Sequence, residues 1–212
     1  GDGTVNEVVN GLGDVEGALA RCRLGIIPLG TVNVLARELG IPATIDRAWP
    51  TVQQSRTRWL DLPEVTCETR RGRERRYFVQ MAGAGLDARA VELTEWKFKQ
   101  RFGPLAYVRA GFQALAERQR TIHTVRGTEA VTGELVVASN GRLYGGNFPL
   151  FPQADPADGL LDVCSFPKVS LPRLPWIAAA LLAGRIDRSR LTRHWQTREL
   201  RLECDQSCPL QI

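Results

Sequence analysis

The chain changes its pattern of apolar and polar positions about a quarter of the way along. Residues 4–12 carry the pattern of a helix that ends near Gly11 and Gly13, and Thr4 and Glu7 have the spacing of a capping box at its start. Asp14 is placed to cap a second helix through Ala18, Leu19 and Ala20. The short apolar run Leu24-Gly25-Ile26-Ile27 before Pro28 predicts a buried parallel strand. A helix over 32–39 should follow, stopped by Gly40 and Pro42. From about Trp59 strand-like segments dominate, at 57–62, 64–69, 75–82, 121–126, 133–139, 160–166, 190–196 and 198–204. Turn signals such as Arg71-Gly72 and Asn140-Gly141 separate them, as in a β-sandwich. Helical patterns interrupt at 87–97, 103–118 and 171–183, the middle one opened by Gly103-Pro104 with Leu105, Val108, Phe112 and Leu115 as its stripe. The expectation is a partial α/β domain over residues 1–58, followed by a β-sandwich-rich α+β domain over 59–212.

Composition adds limits to this picture. The chain has 212 residues, 43% of them hydrophobic, enough for a real core. Its net charge of +5 suits anionic partners without choosing among nucleotides, anionic lipid surfaces and nucleic acid. The tryptophans are scattered without interleaved basic residues, so nucleic acid is not expected. The longest apolar run, Leu174 to Ala183, is too short to span a bilayer and reads as a core helix. Cysteines at 22, 67, 164, 204 and 208 are odd in number and lack close metal-ligand spacing, so reduced, intracellular thiols are expected. No signal peptide is visible, and the sequence fixes no oligomeric state.

Two stretches carry chemistry. Gly1-Asp2-Gly3-Thr4-Val5-Asn6-Glu7 is a glycine turn running into a helix, which presents unpaired N–H groups and a favourable dipole to an anion. Asp2 repels phosphate unless a cation stands between them, so the simplest ligand is a nucleotide carrying Mg²⁺; an ordinary turn fits the same residues. Pro28-Leu29-Gly30-Thr31-Val32-Asn33 repeats the strand–turn–helix arrangement at a place where open α/β sheets bind ligands. The second stretch, Tyr144 to Asp162, sets Asp155 and Asp158 three apart in a loop shaped by Pro156 and Gly159. Two nearby carboxylates suit a hard cation, Mg²⁺ or Ca²⁺. They equally suit a polar turn in which each caps local N–H groups, and spacing alone leaves both readings open.

The remaining candidates are weaker. Arg70-Arg71-Gly72-Arg73-Glu74-Arg75-Arg76 reads as a solvated hairpin tip, or as attraction to an anionic membrane at about 1 kcal/mol per arginine. His123 and His194 have no nearby Asp or Ser pattern of a triad, and Cys204 and Cys208 have no histidine for zinc. Asp87 after Gly83 and Gly85 reads as a helix N-cap.

Three motifs in this order resemble one family. Gly1 to Gly11 resembles the glycine-rich nucleotide motif of the diacylglycerol kinase catalytic-domain family, which includes bacterial lipid kinases and sphingosine kinases. Pro28 to Arg37 is similar to its second nucleotide motif, and Tyr144 to Val163 to its metal loop. The resemblance implies that Gly1, Asp2, Gly3, Thr4, Val5, Asn6 and Thr31 contact ATP. It also implies that Asp155, Asp158 and the carbonyl of Leu160 hold Mg²⁺. The implied reaction moves the ATP γ-phosphoryl group to a lipid hydroxyl, largely by positioning and charge neutralisation. A cytoplasmic protein in peripheral contact with an anionic inner membrane face, active in phospholipid metabolism, is the matching expectation.

The sequence also departs from the family pattern. The glycine motif usually begins one glycine earlier, and Val34 replaces a common acidic residue. Cys208 to Ile212 resembles the run-up to the family's Asp-Gly-Glu motif, which carries the catalytic base, so no catalytic residue is assigned. The expectation is a fragment clipped at both ends, binding nucleotide poorly and turning over little. Alternatives are an NAD kinase-like small-molecule kinase, whose motif is similar, and a non-catalytic nucleotide- or lipid-binding module.

Overall fold

The structure, a computed structural model, describes residues 1–54, 57–69, 72–86, 88–89, 113, 115, 117, 120–126, 129–205 and 207–212. The helical patterns expected at 87–97 and 103–118, and the Asp87 cap, lie essentially outside the described residues. Contacts divide the chain into two compact units, Gly1–Met81 with Ser139–Leu160, and Ala82–Ala138 with Leu161–Ile212.

Among the described residues the first unit carries four helices and two antiparallel strand pairs. Helix α1 spans Asp2–Gly13, α2 Ala18–Arg21, α3 Val34–Glu38 and α4 Ile45–Gln53. The expected capping box does not form. Gly1 is the N-cap of α1, so Thr4 and Glu7 lie inside the helix, and Glu7 pairs with Arg76 at 2.6 Å instead. Asp14 closes α1 and does not open α2, whose N-cap is Gly17 in the left-handed region at φ 70°. Residues 22–29 form no strand. A strand needs a neighbour to take up its N–H and C=O groups, and no described residue pairs with this segment. Helix α4 has no counterpart in the sequence reading, because Pro50 reads as a breaker. Strand β1 (Glu64–Thr69) pairs antiparallel with β2 (Gly72–Tyr77), and Gly72 turns at φ 110°. Within the arginine run, Arg75 bonds Glu64 at 3.0 Å and sits over the Tyr77 ring, and Arg76 bonds Glu7; Arg70 and Arg71 lie outside the described residues. The ladder of β7 (Leu143–Tyr144) with β8 (Phe148–Pro149) completes this unit.

The second unit is built from two sheets. Strands β3 (Met81–Gly85), β6 (Leu135–Ser139), β9 (Leu161–Phe166), β10 (Arg193–Thr197) and β12 (Leu210–Gln211) form one sheet in the order β10-β9-β6-β3-β12. Strands β4 (Ile122–Arg126), β5 (Glu129–Gly133) and β11 (Leu202–Cys204) form the other, ordered β11-β4-β5. Ala84, Val136, Val163 and Trp195 from the first pack with Ile122 and Val131 from the second, which is the sandwich that the strand-like segments and turn signals predict. Every residue of β6, in the middle of its sheet, is buried, as its unbroken apolar run Leu135-Val136-Val137-Ala138 requires. Gly85 turns at φ 92°, and a Cβ there would lie 2.4 Å from the Glu134 carbonyl oxygen.

Helix α5 (Leu174–Leu182) follows a 3-10 turn, Leu171–Arg173. Its C-terminus closes on Gly184 at φ 61°, where the Arg185 N–H donates to the Ala180 carbonyl at 2.9 Å. The expectation of a core helix here is wrong, because none of its residues is buried. Hydrophobicity alone does not say which apolar run the fold covers.

Candidate nucleotide and metal site

The first and second glycine turns meet back to back. The N–H groups of Asp2, Gly3 and Thr4, ahead of the first helical bond from Val5 to the Gly1 carbonyl, have no partner within α1. A Cβ on Gly3 would meet nothing within 4 Å, so this face of the turn is open. A Cβ on Gly30 would lie 2.5 Å from the Gly1 Cα and 2.6 Å from Asn33 Oδ1. Asn33, the single described non-glycine residue at positive φ (54°), knits the second turn. Its Oδ1 accepts from the Gly30 N–H at 2.9 Å, and its Nδ2 donates to the Gly30 carbonyl at 2.6 Å and the Pro28 carbonyl at 3.3 Å.

Asp2 joins the two turns. Its Oδ2 accepts from the Val34 N–H at 3.0 Å and its Oδ1 from the Leu35 N–H at 3.1 Å. The carboxylate thereby caps α3 from 32 residues away, satisfying N–H groups that a helix start leaves orphaned. Gly1, Asp2 and Val5 line a small recess with Ile27, Pro28 and Asn33. It is far smaller than the ~300–1,000 Å³ of a pocket that encloses a whole small ligand. Of the sequence-assigned residues, Gly3, Thr4 and Thr31 are exposed, while Asp2, Val5 and Asn6 are half-buried.

The far end of α3 is held by a group the sequence reading did not single out. Glu38 Oε2 accepts from the backbone N–H groups of Arg142 and Leu143 at 2.9 and 3.0 Å and from Gln80 Nε2 at 3.3 Å. Its Oε1 accepts from Arg142 Nε at 2.8 Å. Nearby, Arg37 donates to Asn147 Oδ1 at 2.7 Å, and Val32 lies beside Gly146, which turns at φ 133°. The second motif is thus fixed to the first by Asp2 and to the start of the metal-loop region by Arg37 and Glu38.

Within that region both aspartates fold the loop on itself. Asp155 Oδ1 accepts from the Ala157 N–H and from Arg58, each at 3.1 Å, and Asp158 Oδ1 accepts from the Leu160 N–H at 2.9 Å. Asp61 clamps the loop from outside: its N–H donates to the Pro156 carbonyl at 2.8 Å, and its Oδ2 accepts from the Gly159 N–H at 2.6 Å. Buried Asn140 donates to the carbonyls of Asp61 and Val79 at 2.9 and 3.3 Å. Local capping and cation binding are compatible here. In each aspartate one oxygen makes the turn, and the other has no hydrogen bond with the described residues. Two free carboxylate oxygens and a carbonyl are the hard donors Mg²⁺ takes, with water completing its octahedron, although Arg58 opposes a cation beside Asp155. Among the described residues no three His, Cys, Asp or Glu side chains cluster as metal ligands, and no hydrogen bond joins Asp155 or Asp158 to Gly1–Asn6. Spacing could not reveal Arg58, Asp61 or Asn140, since each acts across 61 residues or more.

The histidines have partners the sequence did not reveal. His123 Nε2 lies 3.1 Å from Asp205 Oδ1, and His194 Nε2 lies 3.2 Å from Cys164 Sγ. The second pair is not an activated thiol. Burial pushes the Cys164 thiol well above its ordinary range and pushes His194 down, both opposing a thiolate–imidazolium pair. Burial, then a hydrogen bond with Cys204, raises Cys208 to about 12. We therefore expect iodoacetamide at pH 8 to modify exposed Cys22 in the native protein and Cys164 only after unfolding, as read by mass spectrometry. Native modification of Cys164 at the rate of Cys22 would contradict this assignment.

Comparison with known proteins identifies the family of the chain. Residues 1–65 match the diacylglycerol kinase catalytic domain, and residues 80–212 match the YegS C-terminal NAD kinase beta sandwich-like domain. A diacylglycerol kinase of Bacillus subtilis (strain 168) is 35% identical over 203 residues, covering 87% of this chain and 58% of that protein. A "Probable lipid kinase YegS" of Escherichia fergusonii is 34% identical over 169 residues, covering 78% of this chain and 54% of its own. This chain thus spans less than two thirds of the length of these curated relatives. A crystal structure of a diacylglycerol kinase from Bacillus anthracis str. Sterne shares the fold, with a TM-score of 0.70 at 22% identity over 98% of this chain and 66% of that one. No helix among the described residues is long and apolar enough to cross a membrane. With both of its halves matched in order, the chain belongs to the family of diacylglycerol kinases and YegS-type lipid kinases.

Proposed function

We propose that this chain contributes the phosphate-binding turns and the metal loop of an ATP- and Mg²⁺-dependent kinase that phosphorylates a lipid hydroxyl. The observation that carries the reading is the abutment of Gly1 and Gly30 at the start of α1, whose first N–H groups have no partner within the helix and whose Gly3 has open space beside it. Those N–H groups, with Gly3, Thr4, Val5 and Asn6 around them, receive phosphate oxygens, and Thr31 contacts the nucleotide from the second turn. Asp2 acts by holding α3 and the second turn in place. Asp155, Asp158 and the Leu160 carbonyl hold the Mg²⁺. When bound, the ion neutralises charge on the phosphates. No base for the hydroxyl proton is assigned among residues 1–212. A kinase acting on NAD is the second reading, favoured by the description of the sandwich domain. The names of the similar proteins favour the lipid acceptor.

The test measures ATP binding by calorimetry with and without Mg²⁺, and transfer of labelled γ-phosphate to diacylglycerol, other lipid alcohols and NAD. We expect Mg²⁺-dependent binding that Asp155→Asn with Asp158→Asn weakens at least about tenfold, which corresponds to 1.4 kcal/mol, and label appearing in a lipid. Binding indifferent to Mg²⁺ and to both substitutions would remove the metal assignment. Label in NAD alone would transfer the reading to the second kinase.

A further inference from the structure

Helix α5 is an exposed helix without a polar residue. Leu174-Pro175-Trp176-Ile177-Ala178-Ala179-Ala180-Leu181-Leu182 would ordinarily be core, yet none of the nine residues is buried. Trp176 and Leu182 are each 71% exposed, and Leu171 in the preceding 3-10 turn is 56% exposed. A surface helix in water normally turns a charged face outward, and contiguous apolar exposure of this kind marks an interaction site.

The charges around it identify the partner. Lys168, Arg173, Arg185, Arg188, Arg190 and Arg193 are all exposed, and none has an ion-pair partner among the described residues. Between Lys168 and Arg193 the one acid is Asp187. An apolar helix carrying Trp and Leu, bordered by unpaired arginines, matches the boundary between acyl chains and anionic headgroups. At nine residues the helix is ~14 Å long, so it lies in the interface and does not cross the bilayer. A protein partner would need acids of its own to meet the cations that flank this apolar helix in the chain. An anionic bilayer supplies both without further assumption.

We propose that α5 and its basic border are a membrane-docking surface for anionic lipid, with Trp176 and Leu182 entering the interface and Arg185 and Arg188 engaging headgroups. The proposal extends the lipid-acceptor reading by naming the surface that brings this unit to lipid. It also relocates the electrostatic contact: in the β1–β2 hairpin Arg75 and Arg76 are already paired with Glu64 and Glu7.

The test is sedimentation of the 212-residue chain with vesicles of phosphatidylglycerol and phosphatidylcholine, against phosphatidylcholine alone, without ATP. Expected is partition onto the anionic vesicles, lowered about tenfold or more by Trp176→Ser with Leu182→Ser at an unchanged melting temperature. Arg185→Gln with Arg188→Gln should lower it by at least about tenfold and flatten its salt dependence. Trp59→Ser, at a residue 79% exposed in the other unit, should leave it unchanged. Equal binding to neutral vesicles, or serine variants that bind like the parent, would overturn the proposal. So would a dimer in size-exclusion chromatography that Trp176→Ser dissociates while the parent stays off vesicles, since the occupant would then be a second copy. Vesicle binding needs no turnover, so its failure is distinguishable from failure of the kinase reading.

Discussion

Replacing Glu38 with alanine should lower the melting temperature of the protein by about 6–12 °C, the largest stability effect expected of any single side chain around the site. The carboxylate is 1% exposed and receives four donors, two of them backbone N–H groups. Its loss leaves the N–H groups of Arg142 and Leu143 without acceptors, at ~1–3 kcal/mol each. The Arg142 guanidinium is half exposed and returns to water, so the ion pair itself adds little. A total near 3 kcal/mol corresponds to the stated shift, at ~2–4 °C per kcal/mol for a chain of this size. Glu38→Gln keeps one acceptor oxygen and should lose about half as much. Calorimetry decides the matter. A fall below about 2 °C for the alanine variant would mean that the 141–143 turn is held by other groups.

Gly30→Ala should have the largest effect on ligand binding. The added methyl would sit 2.5 Å from the Gly1 Cα, which is backbone and cannot rotate away. The second turn must then back off from the first, lengthening the bonds from Asp2 to Val34 and Leu35. Overpacking of this kind costs ~1–3 kcal/mol of stability. Because the displaced backbone is the phosphate cradle proposed above, Mg²⁺·ATP affinity should fall at least about tenfold, which is 1.4 kcal/mol. Gly3→Ala is the matched control: a methyl there meets no protein atom, so the fold should be unaffected. If nucleotide phosphates occupy that open side, this variant loses affinity without losing stability. An unchanged affinity in both variants would place the nucleotide elsewhere.

Local patterns made much of this architecture legible. The α1 and α3 segments, the strands at Ile122–Arg126 and Leu161–Phe166, and the sandwich follow from periodicity and turn residues. Where the reading failed, the deciding partner was distant. Glu7 left its capping box for Arg76, 69 residues on. The Leu24–Ile27 run lacked a ladder partner among the described residues. Pro50 concealed α4, since a breaker signal outweighs a short stripe. Apolar composition promised that α5 would be covered and could not reveal that none of its residues is buried. The motif glycines announced a turn running into a helix. They could not show that Asp2 spends both oxygens on the next helix, nor that Glu38, Asp61 and Asn140 carry the turns behind the site.

The way the two units share the chain bears on how it is made. The first unit needs residues 139–160, yet residues 82–138 of the second are synthesised before them. Arg142 leaves the ribosome 104 residues after Glu38, on the order of 5–20 s later at ordinary elongation rates. Throughout that interval Glu38 has no 142–143 turn to accept from, and the end of α3 is not anchored. The nascent chain therefore carries an incomplete first unit past the start of its sandwich, and any stall between residues 81 and 139 presents chaperones and proteases with that unit open.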